Sequence, residues 1–182
     1  MRLKNVVYEE IKRQAVDVLI ESNVCAIPID PFEIAYRLGL SIAPYSELDD
    51  KSNRLSNVPD GFSRWDEKGE WIICYNDQKR RERVRFTIAH EIGHYSLGHC
   101  HIGKEEESEA NFFAGYLLAP PPLIYNTIDN PSTHNISNMF ELSKEASENA
   151  YHRYIEWLIY GGVYKGYETK LLELFNRNIK VK

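Results

Sequence analysis

Cysteine is scarce in this chain: three among 182 residues, at positions 25, 74 and 100, with no C-x-x-C pair. An odd count without paired spacing argues against a disulfide framework and fits a reducing cytoplasm. Long apolar runs are missing as well. No stretch approaches the roughly 18 consecutive apolar residues that span a bilayer, and no apolar signal-peptide core is visible near the N-terminus, so a cytoplasmic protein that is neither secreted nor membrane-bound is expected. Positive charge is not in excess: 22 Lys and Arg stand against 27 Asp and Glu, a net −5. That balance disfavours general affinity for phosphate backbones, so direct nucleic-acid binding is not expected. Repeats and low-complexity tracts are absent too. What remains is an ordinary composition, 43% hydrophobic, sufficient for one real core with terminal extensions.

Against this background one stretch stands out, Arg85 to His99, centred on His90-Glu91-Ile92-Gly93-His94. Residues four apart on an α-helix lie one turn above each other, so His90 and His94 can aim both imidazoles at one point with Glu91 beside them. This is the geometry for holding one zinc ion and its water. Composition alone would place the pattern in roughly one shuffled chain in fifty. Phe86, Ile88, Ala89, Ile92 and Leu97 flank it with apolar residues, as a helix buried on most sides requires. The bland alternative is two histidines satisfied by core hydrogen bonds, the better account of a lone histidine.

Two ligands are too few, since catalytic zinc sites usually keep three and leave a fourth position open. The metzincin spacing fails by register: Leu97 and Cys100 occupy the places where Gly and His would stand. The helical run 105–119 offers Glu107, on one stripe with Ala110, Asn111, Ala114 and Leu118. Asn111 could accept the N–H of a ligand imidazole and fix its tautomer. Glu109 is the second-ranked ligand candidate. Glu105, Glu106 and Glu109 are otherwise expected to complement the dipole of the first helical turn.

These residues, with Glu107-x-Glu109-Ala110-Asn111-x-Phe113-Ala114-x-x-Leu117-Leu118-Ala119-Pro120 downstream, resemble the ImmA/IrrE family of zinc-dependent peptidases. The similarity extends to Pro28-Ile29-Asp30-Pro31, Asp60-Gly61-Phe62 and Phe140-x-Leu142-Ser143-x-x-Ala146, covering roughly residues 24 to 157, with the centre specific and the flanks weak. Ala119 stands where a Met is common, and Pro120-Pro121-Pro122 is longer than usual. The resemblance implies a small gluzincin-like domain with one zinc ion on His90, His94 and Glu107 and with Glu91 as the catalytic residue. It also implies a protein substrate: characterised members, encoded on chromosomes, phages and mobile genetic elements, cleave helix-turn-helix repressors.

The remaining chain reads as an α+β fold, mainly helical, with a short antiparallel sheet or hairpin next to the His-Glu-x-x-His helix. Leu3, Val7, Ile11, Ala15, Val18 and Leu19 recur at helical spacing, predicting an amphipathic helix in a terminal segment 1–23 that packs on a peptidase domain 24–160; a tail 161–182 follows with a short helix at 169–175. Asp30-Pro31 and Gly39 bracket a second helix. Residues 40–45 suggest a strand and 46–60 a surface loop. Residues 61–65 and 71–75 form a hairpin around Asp66-Glu67-Lys68-Gly69. Lying next to the zinc helix in sequence, the strand Trp71 to Tyr75 is expected to bind an extended substrate at its edge, with Trp71, Ile73 and Tyr75 as contact residues. The basic run from Lys79 to Arg85 is expected to pair with acids rather than with DNA. Residues 123–132 read as a loop after the prolines, and 135–160 as a short helix, a turn and a Ser-capped longer helix, with Ala146, Ala150, Tyr154, Trp157 and Leu158 as packing residues.

The chemistry expected is metal-assisted peptide hydrolysis, in which Glu91 takes a proton from a zinc-activated water and returns it to the leaving amine. For oxyanion stabilisation Tyr75, Tyr95, Tyr116, His99 and His101 are all available by type. The rival reading is a non-catalytic regulatory module that binds a repressor or antitoxin partner and uses metal only structurally. The oligomeric state is not legible.

Overall fold

The computed structural model describes residues 5–48, 60–101, 103–162 and 164–176. Among them eight helices surround a small three-stranded sheet: α1 Asn5–Ser22, α2 Pro31–Arg37, β1 Ser41–Pro44, β2 Gly61–Trp65, β3 Trp71–Tyr75, α3 Arg81–Ser96, α4 Lys104–Leu118, α5 Pro121–Thr127, α6 Thr133–Phe140, α7 Lys144–Ile159 and α8 Gly166–Asn176. The architecture is α+β and mainly helical. Among the described residues no helix is long and apolar enough to cross a membrane.

Local chemistry sets the helix ends. Asp30 accepts from the Phe32 N–H and Pro31 supplies the first helical turn of α2, whose exit is turned by Gly39 at φ +73°. Ser132 and Ser143 cap α6 and α7 by accepting from Asn135 and Ala146 N–H groups. After α4 the prolines do not open a loop, as the sequence suggested, but start a new helix. Pro121 and Pro122 sit in the first turn of α5, where an N–H would have no intrahelical partner anyway. Its residues Leu123 and Ile124 are buried, and that burial holds the segment helical.

In the sheet the order is β1-β3-β2, with β1 parallel and β2 antiparallel to β3. β3 is therefore central, and both its edges already carry ladder bonds. The hairpin turn is tied by Asp66, whose side chain accepts from Lys68 and Glu70 N–H groups. The core is continuous from Ile11, Ala15 and Leu19 of α1, through Ile88 and Ile92 of α3 and Phe113 and Leu117 of α4, to Leu171 and Phe175 of α8. The expected terminal segments thus contribute to the same core as the middle of the chain. Leu3, expected on the first helix, and most of the expected surface loop lie outside the described residues.

The basic run resolves into pairings. Lys79 and Arg83 bind Asp60, Arg81 binds Glu141, and Arg85 is buried, donating to Glu141 and to the carbonyls of Ile29 and Phe140.

Candidate metal centre

α3 is buried on most of its circumference: Val84, Ile88, Ala89, Ile92, Gly93 and His94 are all enclosed. One face presents His90 and His94, and their Nε2 atoms lie 3.0 Å apart. α4 crosses against α3 and brings Glu107 across the gap, with Oε2 3.5 Å from His90 Nε2 and Oε1 3.5 Å from His94 Nε2. The three side chains offer two imidazole nitrogens and a carboxylate oxygen within 4.8 Å of one another, a donor set that fits a divalent first-row cation. His94 is almost fully enclosed at 2% exposure whereas Glu107 is 47% exposed, so the cluster opens to solvent on the α4 side.

The close approach of the two helices depends on Gly93, one residue before His94. A Cβ there would stand 3.0 Å from the Phe113 ring of α4. Within α4, Glu106 serves the helix end, its carboxylate accepting from the Gly103 N–H. Asn111 is exposed and its side chain bonds the His90 ring, favouring the protonated imidazole. Burial outweighs this and pulls both ring pKa values down to about 4, leaving them neutral and able to ligate at pH 7.

Glu91, between the two histidines in sequence, is 5% exposed. Burial pushes its carboxyl up to about 7, the charge of Glu107 adds to the rise, and a hydrogen bond from Ser63 opposes it. The Ser63 Oγ lies 2.5 Å from Glu91 Oε2. Ser63 carries no mark in the sequence, and parity leads to it only once Gly61 is placed against α3. Gly61 lies against Thr87 of α3 so tightly that a Cβ would collide with its methyl group. Two residues along the strand and four along the helix then bring Ser63 to Glu91.

Two further residues extend the site behind the cluster. His94 Nδ1 is 2.8 Å from His99 Nδ1, and His99 Nε2 is 3.0 Å from Glu109 Oε2. Glu109 therefore engages His99 and stands outside the three-residue cluster. Nor does it belong to the solvated first turn, as the charge pattern suggested, because His99 draws it inward.

Other expected residues lie elsewhere. As the central strand, β3 cannot accept a peptide at its edge, so Trp71, Ile73 and Tyr75 are not a main-chain docking edge. Ile73 is wholly buried, Trp71 nearly so, and Tyr75 packs edge-on against Phe32. Among the described residues the strand edge without a partner next to α3 belongs to β2. Tyr116 is buried, its hydroxyl donating to Glu168, and His99 is engaged as above. Tyr95 packs with Trp65 and Trp71. Tyr45, on the turn after β1, was not considered from sequence. Burial raises its hydroxyl pKa to about 12, with the charges of Cys74, Glu91 and Asp60 adding, so this phenol stays protonated and within the field of Glu91.

A family model described as the IrrE N-terminal-like domain, a peptidase family, matches residues 50–151, more than half of the chain. The chain belongs to this family. The match spans β2, β3, α3 and α4, so the family segment contains every residue of the cluster together with Ser63, Glu91, His99 and Glu109. A metallopeptidase-type activity follows from the family and from the His-His-Glu arrangement. No curated protein sequence matches the chain.

Proposed function

We propose that the protein is a zinc-dependent endopeptidase that cuts a protein substrate, with a helix-turn-helix repressor or an antitoxin-like regulator as the target class. The observation that carries this reading is the convergence of His90, His94 and Glu107 with a buried carboxylate, Glu91, on the adjacent helical position. Zinc held by the three side chains would supply Lewis acidity towards a carbonyl oxygen and acidify water. The chain itself performs the proton transfers. With its pKa near 7, Glu91 accepts a proton from the attacking water and, now a sufficiently strong acid, delivers it to the departing amine. Ser63 holds the carboxylate in place and favours its ionised form before the attack. Extended substrate is read along the outer edge of β2, which among the described residues pairs with no other strand, lies beside the catalytic carboxylate and can add a strand to the sheet. The family membership and the neutral state of both ring histidines support the same reading.

The test is direct. Wild type and Glu91→Gln are purified, metal content is measured, and each is incubated with a helix-turn-helix repressor identified among the neighbouring genes. Zinc in both and cleavage only by wild type is the expected result. Equal cleavage by both would refute the role of Glu91, and a wild type that holds zinc but only binds the repressor would favour the regulatory module.

A further inference from the structure

We infer that His99 and Glu109 are positioning residues that set the proton and the orientation of His94, so that metal affinity depends on two side chains outside the cluster. The inference rests on reading His90, His94 and Glu107 as the metal ligands.

One arrangement of protons leaves His94 Nε2 free to meet a cation. In it Glu109 accepts across the 3.0 Å contact, with the proton on His99 Nε2. His99 then offers its bare Nδ1 to His94. That atom is 2.8 Å from His94 Nδ1, and two ring nitrogens at this distance share a bond only if one of them donates. His94 Nδ1–H is therefore the donor. A neutral His94 protonated at Nδ1 has its lone pair on Nε2, the atom facing His90 Nε2 at 3.0 Å and Glu107 Oε1 at 3.5 Å. Remove Glu109 and the order is no longer imposed. His99 can carry its proton on Nδ1 and donate to His94, which places the His94 proton on Nε2, where a cation has to bind.

The fold builds this chain of contacts locally. α3 ends at Ser96, and Gly98, at φ +68°, curls the backbone so that the His99 N–H donates to the His94 carbonyl at 3.1 Å. The turn lays the His99 ring against that of His94, with centroids 5.0 Å apart. Glu109 lies two positions beyond Glu107 on α4, about 200° around the helix, and so reaches the far ring while Glu107 reaches the near nitrogens. Enclosure is high along the line: side-chain exposure is 2% for His94, 7% for His99 and 20% for Glu109, so water is a poor replacement for either partner.

Two measurements on the full chain test the inference, and neither reads peptidase activity, so failure of the hydrolase reading leaves both interpretable. In the first, nitrogen-15 ring spectra of metal-free wild type at pH 8 report tautomers directly. The proton is expected on Nδ1 of His94 and Nε2 of His99, and the reverse assignment would overturn the inference. In the second, zinc affinity is measured by chelator competition and the ligand field by the visible spectrum of the cobalt(II) form. Glu109→Ala and His99→Ala are expected to lose about 10- to 100-fold in affinity, with a changed cobalt spectrum. Glu109→Gln still accepts from His99, and His99→Gln can accept from His94 while donating to Glu109, so both should stay within about threefold of wild type. Alanine variants that bind zinc as wild type does, or glutamine variants that fall as far as the alanine ones, would overturn the inference.

Discussion

Ser63 on β2 and Glu91 on α3 are joined by a 2.5 Å hydrogen bond that spans 28 residues of sequence and ties the sheet to the motif helix. The hydroxyl donates, so it stabilises the ionised carboxylate against the burial that raises its pKa to about 7. Removing it in Ser63→Ala should push the pKa higher still. A hydrogen bond to a charged group is worth about 1.5 kcal/mol, or roughly one pKa unit. The acid limb of the kcat/KM profile should therefore move up by as much as about one pH unit, with little loss well above it. An unmoved limb in a folded variant would remove Ser63 from the mechanism.

The same buried carboxyl shapes stability. Its pKa rises from 4.5 to about 7 on folding, so the folded state holds a proton that the unfolded chain has lost, and stability falls as pH climbs through that window. His90 and His94 act oppositely: their pKa values fall from 6.5 to about 4, and stability is lost as pH drops through that range. From these three groups, metal-free protein should accordingly be most stable near pH 7. Glu91→Gln removes the loss on the alkaline side and should be more stable than wild type at pH 8 by up to about 3 kcal/mol, a gap that closes towards pH 4.5. Thermal melts of both proteins in a chelating buffer at pH 5 and pH 8 would check this, and an equal gap at both values would contradict it.

How much of this was legible in the sequence follows the range of each interaction. The His90–His94 pair and the stripe carrying Glu107 and Asn111 are helical periodicities, written within one turn of chain, and the resemblance rests on the same local spacing. Caps such as Asp30 and Ser143 are local too, as is the hairpin around Asp66. Strand order is not. The aromatic and β-branched run Trp71 to Tyr75 marks a strand but does not say that β1 will lie parallel to it and occupy the edge assigned to substrate. Ser63 and the His99–Glu109 contact required knowing which strand face meets α3 and how the chain leaves that helix. The prolines before α5 misled for another reason: proline ends one helix and is equally suited to begin the next.

Gly93 sets the distance between the two halves of the cluster. Glycine inside a helix normally costs up to about 1 kcal/mol relative to alanine, so Gly93→Ala would stabilise an isolated α3. Here the added methyl meets the ring and Cβ of Phe113 at 3.0 to 3.3 Å, and Phe113 is fully enclosed with nowhere to shift. The helices must separate instead, carrying Glu107 away from both histidines. Net destabilisation of about 1–3 kcal/mol in urea unfolding is expected, together with weaker zinc binding. A variant more stable than wild type would show that the contact is loose.

Arg85 is the one member of the basic run that the fold encloses, at 3% exposure. Its guanidinium bridges three segments, donating to the Ile29 carbonyl at 2.8 Å, the Phe140 carbonyl at 3.2 Å and Glu141 at 3.0 Å. Burial lowers its pKa without neutralising it, and the charge of Glu141 counters that loss. Arg85→Ala leaves two buried carbonyls and a carboxylate without this donor, which should cost about 3–5 kcal/mol. Arg85→Lys keeps the charge, but its single ammonium lacks the planar fork that reaches all three acceptors, so most of the loss should persist. The exposed neighbour Arg81 pairs with the same Glu141, and Arg81→Ala should change stability by less than about 1 kcal/mol. Urea unfolding of the three variants separates a geometric role for Arg85 from a purely electrostatic one, since a lysine variant as stable as wild type would mean that charge alone suffices.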